Sequence, residues 1–100
     1  MQKGFTAKQH VDKILQTVAD VHGFSPDEIL NEGDKISRKE LQRAKNHFRY
    51  ILSQHVGLRE AARMLGCAPA TIFYARQVYK TKHGNDFYYT ELLNEILKKL

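Results

Sequence analysis

One hundred residues, 42% of them apolar, are enough for one hydrophobic core and one small domain, 1–100, but not for two. A single cysteine excludes an internal disulfide and a cysteine-rich zinc site. No apolar run approaches the ~20 residues of a membrane span, and residues 1–8 lack the apolar stretch of a signal peptide, so a basic, soluble, cytoplasmic chain without membrane contact is expected.

In chain order, Thr6-Ala7-Lys8-Gln9 reads as a capping box that opens a helix. Val11, Ile14, Leu15 and Val18 recur on one face of it, and Gly23 offers a left-handed stop. Ser25-Pro26-Asp27-Glu28 is a second box with proline at the first helical position, and residues 31–34 read as a loop. Its two acids suit a helix N-terminus and need no catalytic role. Ser37-Arg38-Lys39-Glu40 is a third box, followed by the stripe Leu41, Ala44, Phe48, Ile51 and Leu52 up to Gly57. A short helix from Leu58 to Leu65 ends at Gly66, and Pro69 starts the next, whose inner face is Ile72, Ala75, Val78 and Tyr79. That helix frays near His83-Gly84-Asn85. Asp86 then caps a last helix buried through Leu93, Ile96, Leu97 and Leu100. No strand alternation is sustained. The expected class is all-α, a bundle of about six helices.

Charge is unevenly spread over these elements. Residues 35–82 hold eleven basic and two acidic side chains, whereas the rest of the chain is net acidic. A basic middle suits a polyanion, although solvated helix faces would look the same. Signals for catalysis are missing. His10, His22, His47, His55 and His83 never form a metal-ligand pair such as HExxH, and most are expected at or near the surface. Cys67 has no activating neighbour in sequence and suits a small buried apolar role. There is no P-loop, dinucleotide fingerprint or nucleophile elbow. The expectation is a non-enzyme without cofactor or metal.

The segment from Leu58 to Gln77 carries the most information. Ala61, Ala62 and Ala75 are small enough for two helices to cross closely, Gly66 permits a tight reversal, and Leu65, Cys67 and Ile72 can plug the core beneath it. This layout resembles the helix-turn-helix of bacterial regulators. In such a motif the second helix enters the major groove by its N-terminal residues. Here those are Ala68, Pro69, Ala70, Phe73, Tyr74 and Gln77, with Thr71 at the helix start and Arg76 and Lys80 further along for phosphates. Gln77 can read adenine, and Ala70 or Phe73 can touch a thymine methyl. Because adjacent helical positions diverge by about 100°, one of Phe73 and Tyr74 is expected in the core.

With the flanking helices included, residues 11–97 resemble the C-terminal DNA-binding domain of the bacterial replication initiator DnaA, which has a Trp-repressor-like helical fold. The likeness runs through Val11-Asp12-Lys13-Ile14, Phe24-Ser25-Pro26-Asp27-Glu28-Ile29-Leu30, Leu58-Arg59-Glu60, Gly66 and Ala70-Thr71-Ile72. It implies a basic loop, here Lys35, Arg38 and Lys39, before the long helix. It also implies that Lys45, in Ala44-Lys45-Asn46, takes the place of a DNA-contacting arginine. The family's Gly-Arg-Asp-His signature is replaced by Gly66-Cys67-Ala68-Pro69, one residue shorter and without the acid or the imidazole. The resemblance therefore implies a stand-alone relative without the ATPase domain. Its expected partner is double-stranded DNA, and its expected role is transcriptional regulator or accessory replication factor. A protein-interaction module that keeps the fold is the alternative.

Overall fold

The computed structural model describes residues 7–30 and 39–100. Six helices occupy them: α1 (Ala7–His22), α2 (Pro26–Leu30), α3 (Lys39–Val56), α4 (Leu58–Leu65), α5 (Pro69–Lys82) and α6 (Phe87–Lys99). No strand occurs among the described residues, and the class is all-α.

The helix ends follow from local chemistry. At α2 the expected box closes both ways: the Glu28 amide donates to Ser25 Oγ at 3.2 Å, and the Ser25 amide donates to Glu28 Oε1 at 2.9 Å. At α6 the Asp86 carboxylate accepts from the Tyr89 amide at 3.0 Å. The boxes at Thr6 and Ser37 lie outside the described residues. Gly66 ends α4 in the left-handed region, φ 67°, and its amide donates to the Arg63 carbonyl while the Cys67 amide donates to that of Ala62. That pair of bonds is a Schellman termination, and it needs a residue at ease with positive φ.

One buried cluster draws on all six helices. Val18, Leu52, Ala61, Ile72, Leu93 and Ile96 each have essentially no exposed surface. Long α3 is the central strut, with α1, α2, α4 and α5 packed on it. Ala61, Ala62 and Ala75 are buried at the α4–α5 crossing, where small side chains let the two backbones approach. Three expected core positions differ. Leu97 is 49% exposed because residues 93 and 96 already fill the inward sector of α6, and Tyr79 and Leu100 are only half-buried. Cys67 is half-buried and packs against the cluster beneath the turn, as its small apolar character suggests.

His47 departs furthest from its expected place near the surface. It is fully buried, and it joins α1, α3 and α6 in one hydrogen-bond chain. His47 Nε2 lies 3.1 Å from the Tyr89 carbonyl, and His47 Nδ1 lies 2.9 Å from His22 Nε2. A carbonyl only accepts, so His47 carries its proton on Nε2 and its Nδ1 accepts from His22. Burial, and secondarily Arg43, brings His22 from 6.5 to about 4, although a helix C-terminus would by itself favour the cation. Burial, then His22, brings His47 to about 3.

Candidate nucleic-acid interface

The α4–Gly66–α5 unit presents the start of α5 to solvent. Extended Ala68, φ −71° and ψ 145°, precedes Pro69, which has no amide to satisfy and already holds a helical φ. Ala68, Pro69 and Ala70 are exposed, and Thr71 is half-buried. Phe73 and Tyr74 are 53% and 61% exposed. Neither ring enters the core, contrary to the expectation for one of them. Ile72 and Ala75 take the inward sector, so both intervening side chains face away from it. Gln77 is half-buried beside them, and Lys80 is exposed one turn on.

The cationic positions divide more sharply. Lys39 at the start of α3 is exposed, whereas Lys35 and Arg38 lie outside the described residues. Lys45 is a correction: it is 4% exposed, on a stretch of α3 where residues 44–48 are all buried by neighbouring helices. It therefore does not stand where a phosphate would meet it. Arg76 is also engaged, with Nε donating to Ser53 Oγ at 3.0 Å and an Nη donating to the Ser53 carbonyl at 3.1 Å. Its guanidinium ties α5 to the last turns of α3 rather than standing ready for phosphate. Arg63 pairs with Glu60 one turn back on α4, and Lys82 lies 3.6 Å from Asp86.

Two clefts flank α5. One, of about 300 Å³, lies against the C-terminal half of α3 and contains Phe73, Gln77 and Lys80 from α5 with Tyr50 and Gln54 from α3. Tyr50 stacks on Tyr79 at 4.1 Å, and Tyr79 stacks on His83 at 4.7 Å. Burial and the neighbouring Tyr79 push the Tyr50 hydroxyl up to about 12, so it stays a neutral donor. The other cleft, of about 350 Å³, lies among the N-terminal half of α3, the opposite side of α5 and the start of α6. Among the described residues, Lys39 and Tyr74 are the only expected site residues in its wall. Arg43, Gln42 and Asn46 were missed, and only the spacing 39-43-46 on α3 facing 74-78-82 on α5 hints at them.

No group of three or more potential metal ligands occurs among the described residues. No helix among them is long and apolar enough to cross a membrane. Comparisons with protein-family models, curated proteins and solved structures returned no match.

Proposed function

We propose that the protein binds double-stranded DNA with some sequence preference through a helix-turn-helix formed by α4 and α5, as a transcriptional regulator or accessory replication factor related to the DnaA C-terminal domain. The observation that carries this reading is the free face of α5. Pro69, Ala70, Phe73 and Tyr74 stand exposed directly after a Schellman turn, in the sector that a recognition helix offers to base edges. The small residues at its start allow close approach to the groove floor, and Phe73 and Tyr74 offer apolar contact to thymine methyls. Lys39 and Lys80 flank that face as exposed cations for phosphates.

A protein-interaction module is the second reading. It is favoured by exposed rings beyond α5: Phe87 and Tyr88 at the start of α6 are 70% and 65% exposed. A gel-shift series over duplex DNA, single-stranded DNA and RNA separates the two. Duplex binding that outlasts competition from single strands and falls with Phe73→Ala and Gln77→Ala supports recognition by α5. A folded protein that retards no duplex at low salt overturns it in favour of the interaction module.

A further inference from the structure

The cleft among α3, α5 and α6 has the chemistry of a ligand site of its own, although it shares Lys39 and Tyr74 with the proposed duplex-facing surface. Its charges are Lys39, Arg43 and Lys82 against one carboxylate, Asp86, whose nearest cation is Lys82 at 3.6 Å. The Arg43 guanidinium sits 5.8 Å from the centre of the Tyr88 ring, within cation–π range. A backbone hydrogen bond from Tyr89, with Lys82 and Arg43 nearby, holds the Asp86 carboxyl below the usual range, so it remains an anion beside these cations. The side wall is Tyr74, 61% exposed and able to stack a planar ring. Side-chain amides of Gln42 and Asn46 complete the α3 wall.

A second observation marks the same place. Asn46 is 8% exposed and Tyr89 1%, and the Asn46 Oδ1 and the Tyr89 hydroxyl have no hydrogen-bond partner among the described residues. Buried polar atoms are nearly always satisfied, and Asn46, on the α3 wall of this cleft, carries one such orphan, whereas the Tyr89 hydroxyl lies towards Tyr50 and Tyr79. A half-turn of the Asn46 amide exchanges its acceptor for a donor, so it can answer either edge of a heterocycle.

We propose that this cleft binds one nucleotide unit, with its phosphate on Arg43, Lys39 and Lys82, and its base against Tyr74 within reach of the Gln42 and Asn46 amides. Inorganic phosphate would leave the stacking wall and both amides unused, and an uncharged nucleoside would leave the cations unused. A volume of about 350 Å³ is at the small end of ligand sites, which suits one nucleotide rather than two. Free mononucleotide and a nucleotide within a single strand share this chemistry. The groups that distinguish this site from the duplex-facing surface are Arg43 and Gln42, which belong to this cleft alone.

Isothermal titration of the full chain with AMP, GMP, CMP and dTMP tests the proposal, with adenosine and inorganic phosphate as controls and a short single-stranded oligonucleotide as the second arm. At least one mononucleotide should bind saturably at one site, about tenfold tighter than adenosine or phosphate. Arg43→Ala should weaken it about tenfold and Gln42→Ala by less, while Lys80→Ala leaves it unchanged and Arg43→Ala leaves duplex retardation largely intact. An oligonucleotide that binds more tightly and displaces the mononucleotide assigns the site to a strand, and weaker binding assigns it to the free nucleotide. The proposal is overturned if no nucleotide binds below about 5 mM, if phosphate alone binds as well, or if a folded Arg43→Ala variant binds normally. Should that variant not fold, backbone amide shifts of the native chain decide. Shifts confined to the start of α3, α5 and the start of α6 support the site, and shifts elsewhere reject it.

Discussion

Gly66 and Arg76 are the residues on which the geometry of α5 depends. Gly66 has φ 67°, and a Cβ built there would meet nothing within 4 Å. The obstacle to substitution is therefore the backbone conformation and not crowding. Gly66→Val should lower stability by at least ~1 kcal/mol, because a β-branched residue resists the left-handed region. Thermal melts check it, and an unchanged melting temperature would mean that the turn tolerates another conformation. Arg76 acts by a different route, through its two hydrogen bonds to Ser53. Arg76→Ala should cost about 1 kcal/mol in denaturant unfolding by removing two charge-assisted hydrogen bonds, although Ser53 keeps its bonds to the Tyr50 carbonyl and the Gly57 amide. It should lower the salt slope of DNA binding far less than Lys80→Ala does. Equal changes in slope would show that Arg76 leaves Ser53 for phosphate.

At the scale of the helix, the proposed resemblance to the DnaA domain sets proline and alanine at the start of α5 against an acid and a histidine in that domain. An acid accepts from a cytosine amino group, whereas Pro69 and Ala70 offer only apolar contact. Discrimination of ~1–3 kcal/mol should be lost at each base so read. Competition binding should then show little preference for the initiator's binding box over scrambled duplex. A preference above about 100-fold, ~2.7 kcal/mol, would overturn this assignment of the α5 face. A second device ties α1, α3 and α6 together through His22, His47 and the Tyr89 carbonyl. Both imidazoles titrate lower in the folded chain, at about 4 and about 3, than the ordinary 6.5. Below pH 6.5 the unfolded chain therefore binds the more protons, and stability falls as the pH drops towards 4. His47 alone should remove up to about 1.4 kcal/mol per pH unit in that window. Urea unfolding at pH 7 and pH 5 measures it, and equal stability at both would remove the buried neutral pair.

For the whole molecule, the basic segment predicts salt-sensitive binding, but folding reduces the number of cations that can take part. Lys45 is buried and Arg76 is held by Ser53, which leaves Lys39 and Lys80 as exposed expected contacts within the described residues. If Lys35 and Arg38 join these two, about four phosphates are neutralised, log K should fall against log salt with a slope of about −3 to −4, and Lys80→Ala should reduce it by about 1. A slope near zero with affinity retained would reject phosphate tracking. Helix number, caps and most of the core stripes were legible in the sequence because they rest on local chemistry: Ser25 with Glu28, Asp86 with the Tyr89 amide, and the periodic apolar residues of α3. The exposed small residues at Ala68, Pro69 and Ala70 were legible for the same reason. The fate of Lys45, Arg76 and the Phe73–Tyr74 pair was not, since each depends on which neighbouring helix occupies a given sector. His22 and His47 lie 25 residues apart and meet only because α1 packs on α3. Sequence alone thus determined the six helices and the small-residue start of α5, because propensity, capping and periodicity act within a few residues. Only the tertiary structure decided which cations stay in solvent, which histidines stay neutral and where the clefts lie, because those depend on burial between helices distant in sequence.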